Sequence, residues 1–118
     1  MELSILESAL IQSVTAKNNE ISEGKVMTIG PVPYRRLDCV GRALAYVRTR
    51  PRKGAIRVDI SGLWVPERTS PIREATATGS ATLFIRTQAD LEEAVRFLTD
   101  TVENTRRLAR TRANRVRF

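Results

Sequence analysis

Arginine and tyrosine side chains alternate with small apolar residues through the middle of this sequence. Arg42, Tyr46 and Arg48 share one such segment, and Arg57 and Arg86 occupy two later ones. Arginine pairs bidentately with phosphate and stacks on bases, and an aromatic ring stacks on an unpaired base. The pattern therefore indicates binding of RNA or single-stranded DNA. The same residue types also suit an ordinary solvent-exposed sheet face.

The positive charge of the chain is concentrated in two segments. Lys and Arg number 20 against 13 Asp and Glu, which gives a formal net charge of +7. Residues 34–86 carry eleven basic and four acidic side chains, and residues 106–118 carry six arginines and no acid. A segmental excess of this kind is typical of proteins that bind polyanions, so we predict RNA as a partner. The arginines of residues 106–118 are either a second RNA contact or a solvated helix end that matches the helix dipole.

The remaining side chains give little support for catalysis or metal binding. The sequence has no His and a single Cys, Cys39. Zinc sites and His-based acid–base catalysis therefore lack their usual groups, and we expect Cys39 to be a small buried apolar residue. We predict a protein that is not an enzyme and that binds no cofactor, metal or small-molecule substrate. Its apolar stretches are only a few residues long, so we predict no membrane partner.

The elements that position the arginines are expected to be strands. Residues 55–65 and 73–86 alternate with the period of a β-strand. Residues 38–50 fit either helical spacing or alternation, and the Pro and Gly of residues 51–54 favour a strand–turn–strand hairpin. The apolar side of these segments consists of Ala43, Ala45, Val47, Ile56, Val58, Ile60, Ala77, Ala81, Leu83 and Ile85.

The two ends of the chain carry helical signals of different strength. Apolar residues recur at helical spacing over about residues 90–108, with Asp90 as the expected cap and Glu93 completing a capping box, before an arginine-rich tail at residues 106–118. Near the N-terminus, leucine spacing suggests a helix. A turn at Asn18 and Asn19 would instead pair residues 9–17 with 20–29. We predict one α+β domain over residues 1–118. Its antiparallel sheet, at about residues 9–87, starts with a hairpin or helix, continues as a meander and leads into the long C-terminal helix.

The two faces of this sheet predict a dimer and a binding surface. A C-terminal helix of about 20 residues is roughly 30 Å long and covers only part of the apolar face. A second subunit that supplies another helix would complete the cover, so we predict a homodimer. The opposite face is open to RNA. Its predicted contact residues are Arg42, Tyr46, Arg48, Arg57, Ser61, Thr82 and Arg86.

This order of elements resembles the coat proteins of single-stranded RNA bacteriophages. The residues that carry the resemblance are 40–48 (VGRALAYVR), 55–60 (AIRVDI), 81–86 (ATLFIR) and 90–95 (DLEEAV). The resemblance implies an intertwined dimer with a continuous sheet, helices on the outside of a shell, and an inner face that binds an RNA hairpin. It also implies self-assembly in the host cytoplasm and a final location in the virion.

Two other functions fit the same pattern of residues. A single-stranded nucleic-acid-binding regulator resembling the Pur or Whirly proteins would also run strands into a C-terminal helix. A ribosome-associated protein would use its basic tail to enter ribosomal RNA. Either of these would be cytoplasmic, and the regulator would be a small dimer that forms no shell.

Overall fold

The computed structural model describes residues 2–27, 33–39, 41–60, 65–66, 68–74 and 80–116 of the 118-residue chain. A helix, α1 (Leu3–Lys17), precedes six strands, and a long helix, α2 (Gln88–Val116), follows them. The strands are β1 (Ile21–Met27), β2 (Tyr34–Cys39), β3 (Arg42–Arg50), β4 (Ala55–Ile60), β5 (Arg73–Glu74) and β6 (Ala81–Ile85). They form one antiparallel sheet in the order β1-β2-β3-β4-β6-β5. The predicted α+β fold, an antiparallel sheet followed by a long C-terminal helix, is confirmed.

The hairpin of β3 and β4 confirms that residues 42–50 are extended rather than helical. Asp38 and Cys39 are extended as part of β2, and Val40 lies outside the described residues. Its turn is a short 3₁₀ helix, Pro51–Lys53, closed by a hydrogen bond of 3.1 Å from the Gly54 amide to the Pro51 carbonyl. Gly54 has φ +59°, a left-handed conformation that glycine adopts without steric cost. The turn sets the register in which Arg48 faces Arg57 and Tyr46 faces Asp59.

The N-terminal segment is a helix, so the alternative hairpin of residues 9–17 with 20–29 is wrong. Leu6, Leu10 and Val14 are fully buried at helical spacing, which gives α1 one apolar side that packs into the core. Asn18 ends the helix, because its backbone amide and its side-chain amide both donate to the Val14 carbonyl. The predicted turn therefore joins α1 to β1 rather than two strands.

The predicted single strand over residues 73–86 is also wrong. Its two ends, β5 and β6, pair with each other in antiparallel register, with Arg73 opposite Leu83 and Glu74 opposite Thr82. The chain thus reverses direction between them. Alternation did not reveal the reversal because small residues continue the pattern through residues 75–79. These five residues, the predicted core residue Ala77 among them, lie outside the described residues.

The long helix begins earlier than predicted and carries a different cap. Thr87 caps α2: its hydroxyl accepts a hydrogen bond from the Asp90 amide, and the Asp90 carboxylate accepts from the amides of Thr87 and Arg86. The predicted capping box of Asp90 with Glu93 is therefore wrong by one turn, since Asp90 is the third helical residue. At its other end, α2 continues past the predicted residue 108 to Val116.

Glu93 is free of a capping role and fastens the loop before β5 onto α2. Its carboxylate accepts hydrogen bonds of 2.8 Å from the Arg68 guanidinium and from the Ser70 hydroxyl. Burial would raise the pKa of Glu93, but the hydrogen bonds from Ser70 and Arg68 outweigh it and hold that pKa below its ordinary value. Arg68 also pairs with Asp100 and lies 5.2 Å above the Phe97 ring.

The core lies between one face of the sheet and both helices. The predicted apolar residues Ala45, Val47, Ile56, Val58, Ile60, Ala81, Leu83 and Ile85 are buried in it, against side chains such as Leu6 of α1 and Phe97 of α2. The cover that we assigned to a partner subunit is therefore supplied by α1 of the same chain. The argument for a dimer from an uncovered face is wrong, and the intertwined dimer itself stays a prediction. Among the described residues, no helix combines the length and apolar character that a membrane span requires.

Candidate nucleic-acid interface

The face of the sheet opposite the two helices, which we call the open face, gathers aromatic and charged side chains into two rows. Pairing across β3, β4 and β6 aligns Arg48, Arg57 and Phe84 in one row. The second row runs from β2 to β6. It contains Arg36, Tyr46, Asp59 and Thr82. Paired residues of neighbouring strands share a face, so each row forms a continuous strip across the sheet.

A cluster of two tyrosines and an arginine occupies the β2–β3 side of the open face. The rings of Tyr34 and Tyr46 meet edge to face, with centroids 5.5 Å apart and planes at 79°. The Arg48 guanidinium carbon lies 5.1 Å from the Tyr34 centroid, within range of a cation–π interaction. The Arg48 Nε is buried and has no hydrogen-bond acceptor among the described residues. A buried donor without an acceptor is rare in folded proteins, and it marks this guanidinium as a candidate binding group.

Two ion pairs neutralise the centre of the open face. Arg36 Nη2 donates to Asp38 over 3.1 Å, and its Nε lies 2.7 Å from the other carboxylate oxygen at an angle too oblique for a hydrogen bond. On β4, Arg57 Nε pairs with Asp59 at 3.0 Å. The Thr82 hydroxyl donates to the same Asp59 carboxylate over 2.9 Å. Thr82 is 5% exposed, so its hydroxyl is already engaged within the protein.

Phe84 marks the opposite end of the open face and holds two cations. The Lys53 ammonium lies 4.8 Å and the Arg86 guanidinium carbon 5.6 Å from its ring centroid. Phe84 is only 8% exposed. Its ring therefore serves to position Lys53 and Arg86 rather than to receive a base, because it is almost fully buried and two cations lie over it, whereas Tyr34 is half-buried and lies under one cation.

The predicted RNA-binding residues are not all brought together. Tyr46, Arg48, Arg57 and Thr82 lie on the open face, and Arg86 lies beside it at Phe84. Ser61 lies outside the described residues.

Arg42 lies on the other face, so its placement beside Tyr46 and Arg48 is wrong. The register between β2 and β3 shifts by one residue, from Leu37 opposite Ala45 to Asp38 opposite Ala43. This bulge at Leu44 inverts the alternation of the residues before it. Arg42 is then opposite Cys39, a core residue that is 1% exposed. The same bulge removes Ala43 from the predicted apolar side and leaves it half-buried.

The sequence-based prediction missed the contribution of β2. Tyr34, Arg36 and Asp38 alternate with Arg35, Leu37 and Cys39, which is a strand signal over six residues. The prolines at positions 31 and 33 obscured it. Cys39, by contrast, is buried as expected, and burial raises the pKa of its thiol.

Comparison of the chain with protein-family models, with curated proteins and with solved structures yields no match. The described residues contain no group of three or more Cys, Asp or Glu side chains arranged to hold a metal ion.

Proposed function

We propose that the protein binds single-stranded RNA across the open face of its sheet. The observation that carries this proposal is the cluster of Tyr34, Tyr46 and Arg48, in which a buried guanidinium nitrogen lacks an acceptor. Aromatic rings and an arginine plane are the groups on which unpaired bases stack, and they do so with little dependence on sequence.

The charge of the open face supports the same ligand. Arg36 and Arg57 are compensated by neighbouring carboxylates. Arg48, Lys53 and Arg86 form no ion pair with a carboxylate among the described residues. They lie at the two ends of the face and leave a polar strip between them. An RNA strand that crosses this strip would meet cations at both ends, where its phosphates can release their counterions.

The length of the strip fits a single strand. The row from Tyr34 on β2 to Phe84 on β6 crosses four adjacent strands, which spans about 14 Å at the usual strand spacing of about 4.8 Å. A sheet face of this kind lets unpaired bases lie on it, whereas duplex RNA hides its bases in a deep groove that side chains do not read. We therefore expect single strands to bind more tightly than duplexes.

The test compares Arg48 with Arg42, which belongs to the same strand but lies on the opposite face. Binding of a fluorescent oligouridine is measured by anisotropy over a range of salt concentrations. We expect Arg48→Ala to weaken binding and to reduce the salt slope by about 0.7, the contribution of one phosphate contact on a single strand. Arg42→Ala, on the helix-covered face, is the matched control and leaves both values unchanged. Equal effects of the two substitutions would contradict the open face as the binding surface.

A coat function is the narrower alternative that we also propose for testing. The arrangement that favours it is the packing of both helices on one face of the sheet, which leaves Arg48 and Arg57 on the other face, as the resemblance to phage coat proteins implies. Electron microscopy of the expressed protein should then reveal closed shells. Size-exclusion chromatography should give large particles with strong absorbance at 260 nm. Small particles free of nucleic acid would rule out the shell while leaving RNA binding by the open face intact.

A further inference from the structure

A shallow cavity at the β5–β6 edge of the sheet carries more positive than negative charge. Its volume is about 380 Å³. Three cationic and two acidic residues line it around one aromatic ring. They are Lys53, Arg73, Arg86, Glu74, Asp90 and Phe84.

Two of these cations are held in place without being neutralised. Lys53 and Arg86 are both exposed, and each lies over the Phe84 ring. Neither forms an ion pair among the described residues. A cation–π contact restrains a charged group but does not neutralise it, so both charges remain available to an anion. Arg73 is tethered differently, by a hydrogen bond of 3.3 Å from its guanidinium to the Arg68 carbonyl.

The acidic residues of the cavity do not reverse this balance. One Asp90 oxygen accepts hydrogen bonds from the amides of Arg86 and Thr87, so it is committed to the start of α2. The same bonds occupy those two amides, and an anion in the cavity must be bound by the side-chain cations instead. Glu74 is exposed and opposes an anion by its charge.

We propose that this cavity binds a phosphate group of the RNA strand that the open face carries, an inference that rests on the proposed function. A guanidinium and an ammonium converging on one cavity are suited to phosphate oxygens. Phe84 pairs in register with Arg57, and Arg57 with Arg48, so the cavity lies at the end of the row that begins at the tyrosine cluster. A strand whose base stacks at Tyr34 would extend along this row toward Lys53 and Arg86.

The first experiment removes the two anchored cations together. In Lys53→Ala/Arg86→Ala, we expect the Kd for a decauridine to rise about tenfold and the salt slope to fall by about 0.7 for each phosphate lost. Both side chains are exposed, so the fold should be retained. Arg42→Ala is again the matched control. If the double variant matches the unaltered protein while Tyr34→Ala weakens binding, the phosphate site is wrong and the proposed function stands.

A second experiment probes the cavity without RNA. Inorganic pyrophosphate is titrated into the labelled protein, and NMR shifts should concentrate at Lys53, Phe84 and Arg86 and disappear in the double variant. If the protein binds no RNA yet shows these shifts, the cavity is a phosphate site and the proposed function fails. An absence of shifts up to millimolar pyrophosphate would overturn the phosphate site itself.

Two further comparisons define the ligand. Triuridine with and without a 5′-phosphate separates a terminal phosphate from an internal phosphodiester: tighter binding of the phosphorylated form, lost in the double variant, assigns the cavity to the terminus. Equal binding of the two, with both weakened in the double variant, assigns it to an internal phosphate.

Glu74→Gln should tighten binding about two- to threefold because it removes a like charge from the cavity. Unchanged or weaker binding by Glu74→Gln would count against a phosphate at this position.

Discussion

Replacement of Tyr34 by Ala tests whether bases stack on the open face. Tyr34 contacts Tyr46 edge to face and lies under the Arg48 guanidinium, so its removal takes away the centre of the aromatic cluster. Stacking of one base on an aromatic side chain contributes about 1–3 kcal/mol. At about 1.4 kcal/mol per tenfold change in affinity, the Kd for a decauridine should rise roughly 5- to 150-fold.

The salt dependence separates this effect from a loss of charge. Tyr34→Ala removes no cation, so the slope of log Kd against log salt should stay at the value of the unaltered protein, whereas Arg48→Ala should lower it by about 0.7. Tyr34→Phe keeps the ring and should bind within about twofold of the unaltered protein. Thermal melting of each variant checks that the sheet is intact.

Two results would refute the stacking argument. One is a Tyr34→Ala variant that is folded and binds decauridine as tightly as the unaltered protein. The other is an equal loss of affinity in Tyr34→Ala and Tyr34→Phe, because the phenol hydroxyl rather than the ring would then carry the contact.

Three predictions concern the stability of the fold that presents this surface, each measured by urea unfolding. Asn18→Ala should lower the free energy of unfolding by about 1–2 kcal/mol, because it removes side-chain hydrogen bonds to Val14 and Thr99, whereas the exposed neighbour Asn19→Ala should change it by less than about 0.5 kcal/mol. Glu93→Gln should lower the free energy of unfolding by about 2 kcal/mol at neutral pH, because it weakens the hydrogen bonds from Arg68 and Ser70. Since the pKa of Glu93 lies below its ordinary value of 4.5, the stabilisation is present above that value and is lost as the pH falls through the folded-state pKa. The difference in unfolding free energy between the unaltered protein and Glu93→Gln should therefore narrow on acidification. Gly54→Ala should cost about 1 kcal/mol and Gly54→Asn less, because the position has φ +59° with open space around a Cβ; equal stability of all three would contradict the left-handed turn.

Periodicity identified the elements whose pattern is uninterrupted. The spacing from Leu91 to Val102 placed most of α2, and the turn at residues 51–54 placed the β3–β4 hairpin. The alternation failed at Leu44, where one inserted residue moves Arg42 to the opposite face without any change in the polar and apolar pattern. An inserted residue is set by pairing with β2, which local sequence does not encode.

The N-terminal segment was ambiguous for a related reason. Leucine spacing correctly indicates a helix, and Asn18–Asn19 correctly indicates a turn. Only the packing of α1 against β3, β4 and α2 determines that residues 3–17 are helical rather than extended. The same packing determined that the cover of the apolar face comes from the chain itself. For the site, the alternating arginines of β3 and β4 pointed to the open face. Tyr34 lies in a strand signal that the neighbouring prolines obscured, and Lys53 joins the site only through its tertiary contact with Phe84.

The edges of the sheet bear on how a coat function could be realised. The resemblance to phage coat proteins implies a sheet that continues from one subunit into the next. At one edge, β1 carries a bulge between Glu23 and Val26, and at the other edge the described part of β5 is two residues long. Bulges and short strands are the features by which sheet edges resist pairing with another chain. Binding of RNA by the open face requires neither edge, whereas a shell built through a continuous sheet requires at least one. If shells form, their subunits should therefore join through surfaces other than these two edges, and a proline placed in β1 should leave assembly unchanged.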